Sequence, residues 1–183
     1  MTAQARQLCR VGLHVLIRAR AGEFVYEPAE IEAMLAQIAE AKALGVDGVA
    51  LGCLTADGRI DAAATARLVE AARPLSVTFH RAIDQVNRDV AAEVRRLGID
   101  RVLSSGGAAT AEQGIAGLRR WVEAGVGVIA AGAVRIGNAR RIVAATGVGE
   151  IHAALHRLTT DHSPAGLAAA VRALRATANG VSP

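Results

Sequence analysis

Short apolar runs alternate with longer amphipathic stretches from one end of the chain to the other. The runs at residues 13–18 (LHVLIR), 48–54 (GVALGCL), 76–81 (SVTFHR), 101–106 (RVLSSG), 127–132 (GVIAAG) and 150–155 (EIHAAL) predict strands. Between them lie helical patterns. Residues 28–44 carry Ile31, Leu35 and Ile38 at helical spacing, with Glu30 and Glu32 in the first turn, where carboxylates suit the positive end of the helix dipole. Residues 62–72 and 90–97 repeat the theme, and Leu44-Gly45 and Leu97-Gly98 read as helix ends on a glycine. Helices over 111–124, 138–146 and 163–178 complete the series.

Strands separated by helices predict βα units on a parallel sheet. A recurrence of roughly 25–30 residues is that of a TIM-type barrel, which takes about 250 residues for eight units. A chain of 183 residues shows about six such units. The expected fold class is α/β, a TIM-type (β/α) barrel that is incomplete. A doubly wound open sheet is the other arrangement of such units, but no G-x-G-x-x-G follows the first strand. One domain is expected over residues 1–183, with a remnant helix at 1–10 and a C-terminal loop and helix at 157–183.

In a barrel strand, side chains alternate between the helix layer and the axis. Leu13, Val15 and Ile17 then face the helices, leaving His14, Leu16 and Arg18 toward the axis. Val77 and Phe79 leave Ser76, Thr78 and His80 there, and Ile151, Ala153 and Leu155 leave Glu150 and His152. The remaining strands offer small residues such as Ala50 and Gly52. Burying charged groups without partners costs several kcal/mol each, so a polar axis points to a ligand or a reaction. An ion network of Glu150, His152 and an arginine that only sets strand register is the plain alternative.

Barrel sites sit at the C-terminal ends of the strands. Those ends carry Arg18 and Arg20, then His80, Arg81 and Asp84, then Ser105, Gly106 and Gly107, then Gly132. Two arginines two residues apart can clamp a carboxylate or phosphate, and a Ser-Gly-Gly turn lets backbone N–H groups approach an anion. His80 suits acid–base chemistry near neutral pH, with Asp84 or Glu150 in support. His152 joins the substrate-binding set. No nucleophile elbow is present, and Cys53 faces the helices.

Composition narrows the partners. Hydrophobic residues make up 52% and charged residues 21%, as in folded domains, while aromatics are only 2%, so the core is Ala, Val, Leu and Ile. The net charge of +4 is almost all arginine, Lys42 being the only lysine. With no basic run and few rings to stack bases, nucleic acid is not an expected partner. The apolar run at 126–134 is too short to cross a bilayer, and MTAQARQLCRVG lacks the apolar core of a signal peptide. No membrane partner and a cytoplasmic location are expected. Cys9 and Cys53 are far apart and have no metal-type spacing. His80, His152 and Glu150 suit a borderline metal only if they meet at one height, so the metal stays open.

The segments LHVLIRARAGEFVY, GVALGCLTADGRID, VTFHRAID, RVLSSGG and AAGAV…GEIHAA follow one another as they do in the CutC copper-homeostasis family. The resemblance runs from about Leu13 to His156. It implies a TIM-type barrel, a cytoplasmic location and a role in copper binding and homeostasis, copper being implied by the family name alone. Ala19 stands where the family usually has proline, Glu23 where it has aspartate, and Ala133 where a further glycine is common. The family's first two strands have no counterpart, so the chain resembles a shortened member. A barrel short of two strands exposes edges and an apolar face, which predicts a homo-oligomer whose interface includes residues 13–18. Two functions follow. One is copper homeostasis; the other is an enzyme or binder for an anionic small metabolite, with His80 as acid or base and Arg18, Arg20 and Arg81 as the clamp.

Overall fold

Every predicted strand forms, each ending a few residues before its apolar run does. The structure, a computed structural model, describes residues 2–8 and 11–180. The chain folds as two compact units, Met1–Val102 and Leu103–Pro183, with the boundary inside one strand.

The first unit opens with α1 (Thr2–Leu8), the described part of the expected remnant helix; Cys9 lies outside the described residues. It continues with β1 (His14–Leu16), α2 (Pro28–Ala43), β2 (Gly48–Leu51), α3 (Ala62–Ala72), β3 (Ser76–Phe79), α4 (Ala91–Arg96) and the start of β4 (Arg101–Ser104). All pairings are parallel and consecutive: Leu16 faces Ala50, Leu51 faces Phe79, and Phe79 faces Val102. Consecutive order without a reversal is barrel winding, not the doubly wound pattern. Ile17, Val49, Leu51, Val77, Phe79 and Val102 are fully buried, as are Met34 on α2 and Leu68 on α3. Burial of a branched or aromatic side chain contributes about 1.5–3 kcal/mol, so this apolar layer holds the unit together.

A recurrent aspartate ties neighbouring strands at their N-terminal ends. Asp47 accepts the Leu13 N–H at 2.7 Å and the Arg6 guanidinium at 2.8 Å. Asp100, in the matching G-[VI]-D position, accepts the Val77 N–H at 2.7 Å and Arg73 at 2.9 Å. Each carboxylate supplies an acceptor to a backbone donor that begins a strand.

The second unit holds the end of β4, α5 (Ile115–Glu123), β5 (Gly127–Ala130), α6 (Ile136–Thr146), β6 (Glu150–Ile151) and α7 (Pro164–Ala178). Ala131 N–H reaches Ser104 O at 2.8 Å, and β5 pairs in parallel with β6. Helix α5 starts four residues later than its sequence pattern predicts. Residues 111–114 turn instead, because the Ala111 N–H bonds Gly132 O at 2.9 Å and Gly114 lies against the Ser105 carbonyl. A Cβ on Gly117 would stand 2.0 Å from the Gly106 oxygen, so the loop after β4 packs backbone to backbone on this helix. The chain is thus α/β of the TIM-barrel type, with six strands among the described residues. None of its described helices is long and apolar enough to cross a membrane.

Ala133 is the only described non-glycine residue with positive φ, at 53°. An L-residue there crowds its Cβ against backbone, at a cost of about 1 kcal/mol. Ala133→Gly is expected to raise stability by roughly 0.5–1 kcal/mol, read as a higher urea midpoint. An unchanged or lower midpoint would refute the strain.

Candidate functional site at the strand ends

The first unit brings its candidate residues together one position beyond the paired strands. Ile17 N–H bonds Ala50 O and His80 N–H bonds Leu51 O, both at 2.8 Å, so the ladder continues to Arg18, Gly52 and His80. Gly52 is required in that row. A Cβ there would lie 2.9 Å from the His80 ring and 2.8 Å from Phe79. The missing side chain is the space the imidazole occupies.

His80 is 4% exposed. It caps the 3₁₀ turn Arg81–Gln85, its Nδ1 accepting the Ala82 N–H at 3.3 Å. With Nδ1 an acceptor, the neutral ring carries its proton on Nε2. That Nε2 is buried and has no hydrogen-bond partner. Burial first, then the Arg18 charge, pushes the His80 pKa down to about 4. The ring is therefore neutral at pH 7 and presents an N–H, not a lone pair.

Arg18 stands beside it. Its guanidinium lies 4.5 Å from the centroid of the Phe24 ring, and Phe24 lies 4.9 Å from the His80 ring. Arg18 donates to Gly22 O through Nη2 and its backbone N–H reaches Gln37 Oε1 at 3.2 Å, but its Nε is buried with no partner. The Tyr26 hydroxyl is likewise buried without a partner. Burial raises the Tyr26 pKa, and Arg18 opposes it, first as a neighbouring N–H donor and then through its charge, so the guanidinium faces the phenol closely although no N–H···O bond of full hydrogen-bond geometry forms.

The other predicted residues fall in different surroundings. Arg20 is exposed and holds its loop: it bonds Glu30 at 2.7 Å, Val25 O at 2.7 Å and Glu23 O at 3.3 Å. Glu30 in turn accepts the Glu27 N–H at 2.8 Å and completes the capping box of α2. Asp84 pairs with Arg81 at 2.8 Å, so the His80 ring is oriented by the Ala82 amide, not by this carboxylate. His14 sits lower, in register with Gly48 and Ser76, exposed and within 3.2 Å of Arg101.

In the second unit Ser105 is buried and donates to Ala108 O, while the Gly106 N–H donates to Ser104 Oγ at 2.8 Å. The Gly106 amide predicted to meet an anion is thus engaged within its own turn. Gly107 is exposed with φ 76°, and the Gly132 carbonyl accepts from Ala111. Glu150 and His152 are exposed, which removes the burial that a register-setting ion network there needs.

Sequence reasoning passed over Phe24 and Tyr26, which lie in a loop without alternation. A signal was available. The chain has two Phe, one Tyr and one Trp, and Phe24, Tyr26 and Phe79 all gather around Arg18 and His80 or the adjoining Arg20.

Copper finds a poor donor set. Among the described residues no three His, Cys, Asp or Glu side chains group as a metal site. Burial, with Asp61 nearby, pushes the Cys53 thiol up to about 12, far from the thiolate that copper(I) prefers. The Arg18 charge beside His80 also disfavours a cation there.

Parallel βα units paired in consecutive order define a protein of the TIM-barrel class, with polar side chains at the carboxyl ends of its strands. A profile of the CutC family matches residues 1–157, and this chain belongs to that family. A CutC family protein of Bacteroides fragilis is 45% identical over 157 residues, covering 82% of this chain and 62% of that protein. One from Chromobacterium violaceum is 43% identical over 156 residues, covering 82% and 63%. The crystal structure of the putative copper homeostasis protein CutC from Streptococcus agalactiae superposes with a TM-score of 0.79 at 28% identity, over 82% of this chain and 78% of that one. The chain therefore spans less than two thirds of the length of these curated relatives.

The buried neutral His80 has a pH signature. Its pKa is about 6.5 when unfolded and about 4 when folded, so stability is full above pH 6.5 and falls as pH drops toward 4. The loss over that window is about 3 kcal/mol. Asp47 and Asp57, lowered from 3.8, act below it. Urea unfolding at pH 7 and pH 4.5 should show this loss, and His80→Asn should flatten it; an equal loss in the variant would count against the assignment.

Proposed function

We propose that this chain carries the small-molecule site of a CutC protein, binding an anionic metabolite and serving copper homeostasis through that molecule. Copper homeostasis is the role for which the Streptococcus agalactiae relative is named. The observation that carries the reading is the pair of buried, unpartnered donors, Arg18 Nε and His80 Nε2, beside a fixed positive charge. Donors without acceptors under a cation favour an anion and oppose a metal ion. A neutral His80 polarises a bound oxygen by donating a hydrogen bond from its Nε2–H, which replaces the proton transfer expected of it, since a ring with a pKa of about 4 carries no spare proton near neutral pH. Arg81, held by Asp84, and Arg20, held by Glu30, shape the outer rim.

Millimolar anionic metabolites are expected to raise the melting temperature of the wild type by several degrees. His80→Ala and Arg18→Gln should keep the circular dichroism spectrum and lose the response. If no anion stabilises the protein, or if copper(I) does so and Cys53→Ser abolishes the effect, the proposal is overturned.

The cytoplasm remains the compartment proposed for this role. We also propose self-association through β1, where Leu16 is 58% exposed and Val11, just before it, 72%. Exposed aliphatic side chains along a strand favour pairing with a second copy. Sedimentation at micromolar concentration should give a dimer or larger, reduced by Leu16→Glu; a stable wild-type monomer would refute it.

A further inference from the structure

We infer that the ligand of this site is a small molecule bearing a single carboxylate, and that Tyr26 recognises it together with Arg18 and His80. The inference rests on the anion-site reading above and narrows it to a chemical class.

Three polar atoms in the first unit are buried without a hydrogen-bond partner around one guanidinium: Arg18 Nε, Tyr26 Oη and His80 Nε2. Each has a proton to donate. Arg18 carries N–H groups only, Tyr26 an O–H, and His80 an Nε2–H because its Nδ1 accepts from Ala82. The Tyr26 oxygen can also accept, but if it takes the Arg18 Nε–H, its own O–H and the His80 Nε2–H still lack an acceptor. Buried polar groups are normally paired, and three unpaired donors beside one cation call for an acceptor that the chain does not contain. A carboxylate offers two oxygens and about four lone-pair positions, enough for all three donors.

Charge selects the carboxylate over a phosphate ester. Arg20 is neutralised by Glu30 at 2.7 Å and Arg81 by Asp84 at 2.8 Å, while His80 is neutral. One uncompensated positive charge remains, on Arg18. A monoanion matches it; a phosphate monoester dianion would bury a second negative charge without a partner.

The walls are apolar. Phe24 touches both the guanidinium and the imidazole, and Phe79 lies edge-on to the imidazole at 6.1 Å. These rings suit an organic body behind the carboxylate. Phe24 reaches both groups from the loop between β1 and α2. Its segment bends at Gly22, with φ 96°, and is anchored where the Leu54 N–H bonds the Phe24 carbonyl at 2.8 Å.

The test is isothermal titration of the whole chain with acetate, lactate and benzoate, and with methyl phosphate. At least one carboxylate should bind the wild type, and Tyr26→Phe should weaken it about tenfold. The same variant should be as stable as the wild type or more so, since it removes a buried hydroxyl with no partner. That opposition separates recognition from a structural role. Methyl phosphate binding without any carboxylate binding overturns the carboxylate class and leaves the anion site standing. Equal carboxylate affinity in Tyr26→Phe, or a loss of stability, overturns the role of Tyr26. If neither the carboxylates nor methyl phosphate bind, the anion site itself falls.

Discussion

The first unit depends on how closely three neighbouring strand ends approach one another at Gly52. With no Cβ at that position, the His80 imidazole fits into the row that continues Arg18 and Gly52, against the rings of Phe24 and Phe79. Burial there strips water from the ring and keeps it neutral. The Ala82 amide, which closes the following turn, then decides which nitrogen carries the proton. One absent methyl group thus sets the position and charge state of the ring, and one backbone amide its tautomer. The buried Arg18 Nε and Tyr26 hydroxyl extend the same condition, polar groups shut from water with no acceptor supplied by the chain.

Loop 18–27 is the second part of this arrangement, and its order comes largely from charge. Arg20 joins two carbonyls of the loop, those of Glu23 and Val25, to Glu30, which completes the cap of α2, and Pro28 begins that helix. The loop therefore arrives at Phe24 and Tyr26 with a defined path, though it has no regular structure. Ion pairs this exposed contribute little stability each. Here their effect is to fix where two aromatic side chains stand.

The second unit uses its glycines differently. The Ser-Gly-Gly turn after β4 is bound to α5 through contacts that no side chain would tolerate at Gly114 or Gly117, and the Gly106 amide is already engaged by Ser104. A glycine pair after a strand can serve a phosphate or serve packing, and the sequence is the same in both cases. The partners of the amide tell them apart.

Much of this protein was legible in its residues. Period-two alternation placed Val77 and Phe79 in the helix-facing layer and His80 on the opposite face, and the glycine-ended helical patterns gave six βα units in their observed order. The family itself could be recognised from VTFHRAID and its neighbouring segments. These features are local, set by side-chain period and turn chemistry over a few residues. What the chain alone left undecided was contact between segments far apart in sequence. Arg18 and Arg20 read alike as a clamp, yet one is half-buried against Phe24 and the other is tied to Glu30. Glu150 and His152 have the right parity for an interior but are exposed. Phe24 and Tyr26 lie in a stretch with no period at all, and only folding brings them to Arg18 and His80. Alternation says which way a side chain points, whereas partners, burial and protonation depend on what the tertiary structure sets opposite it.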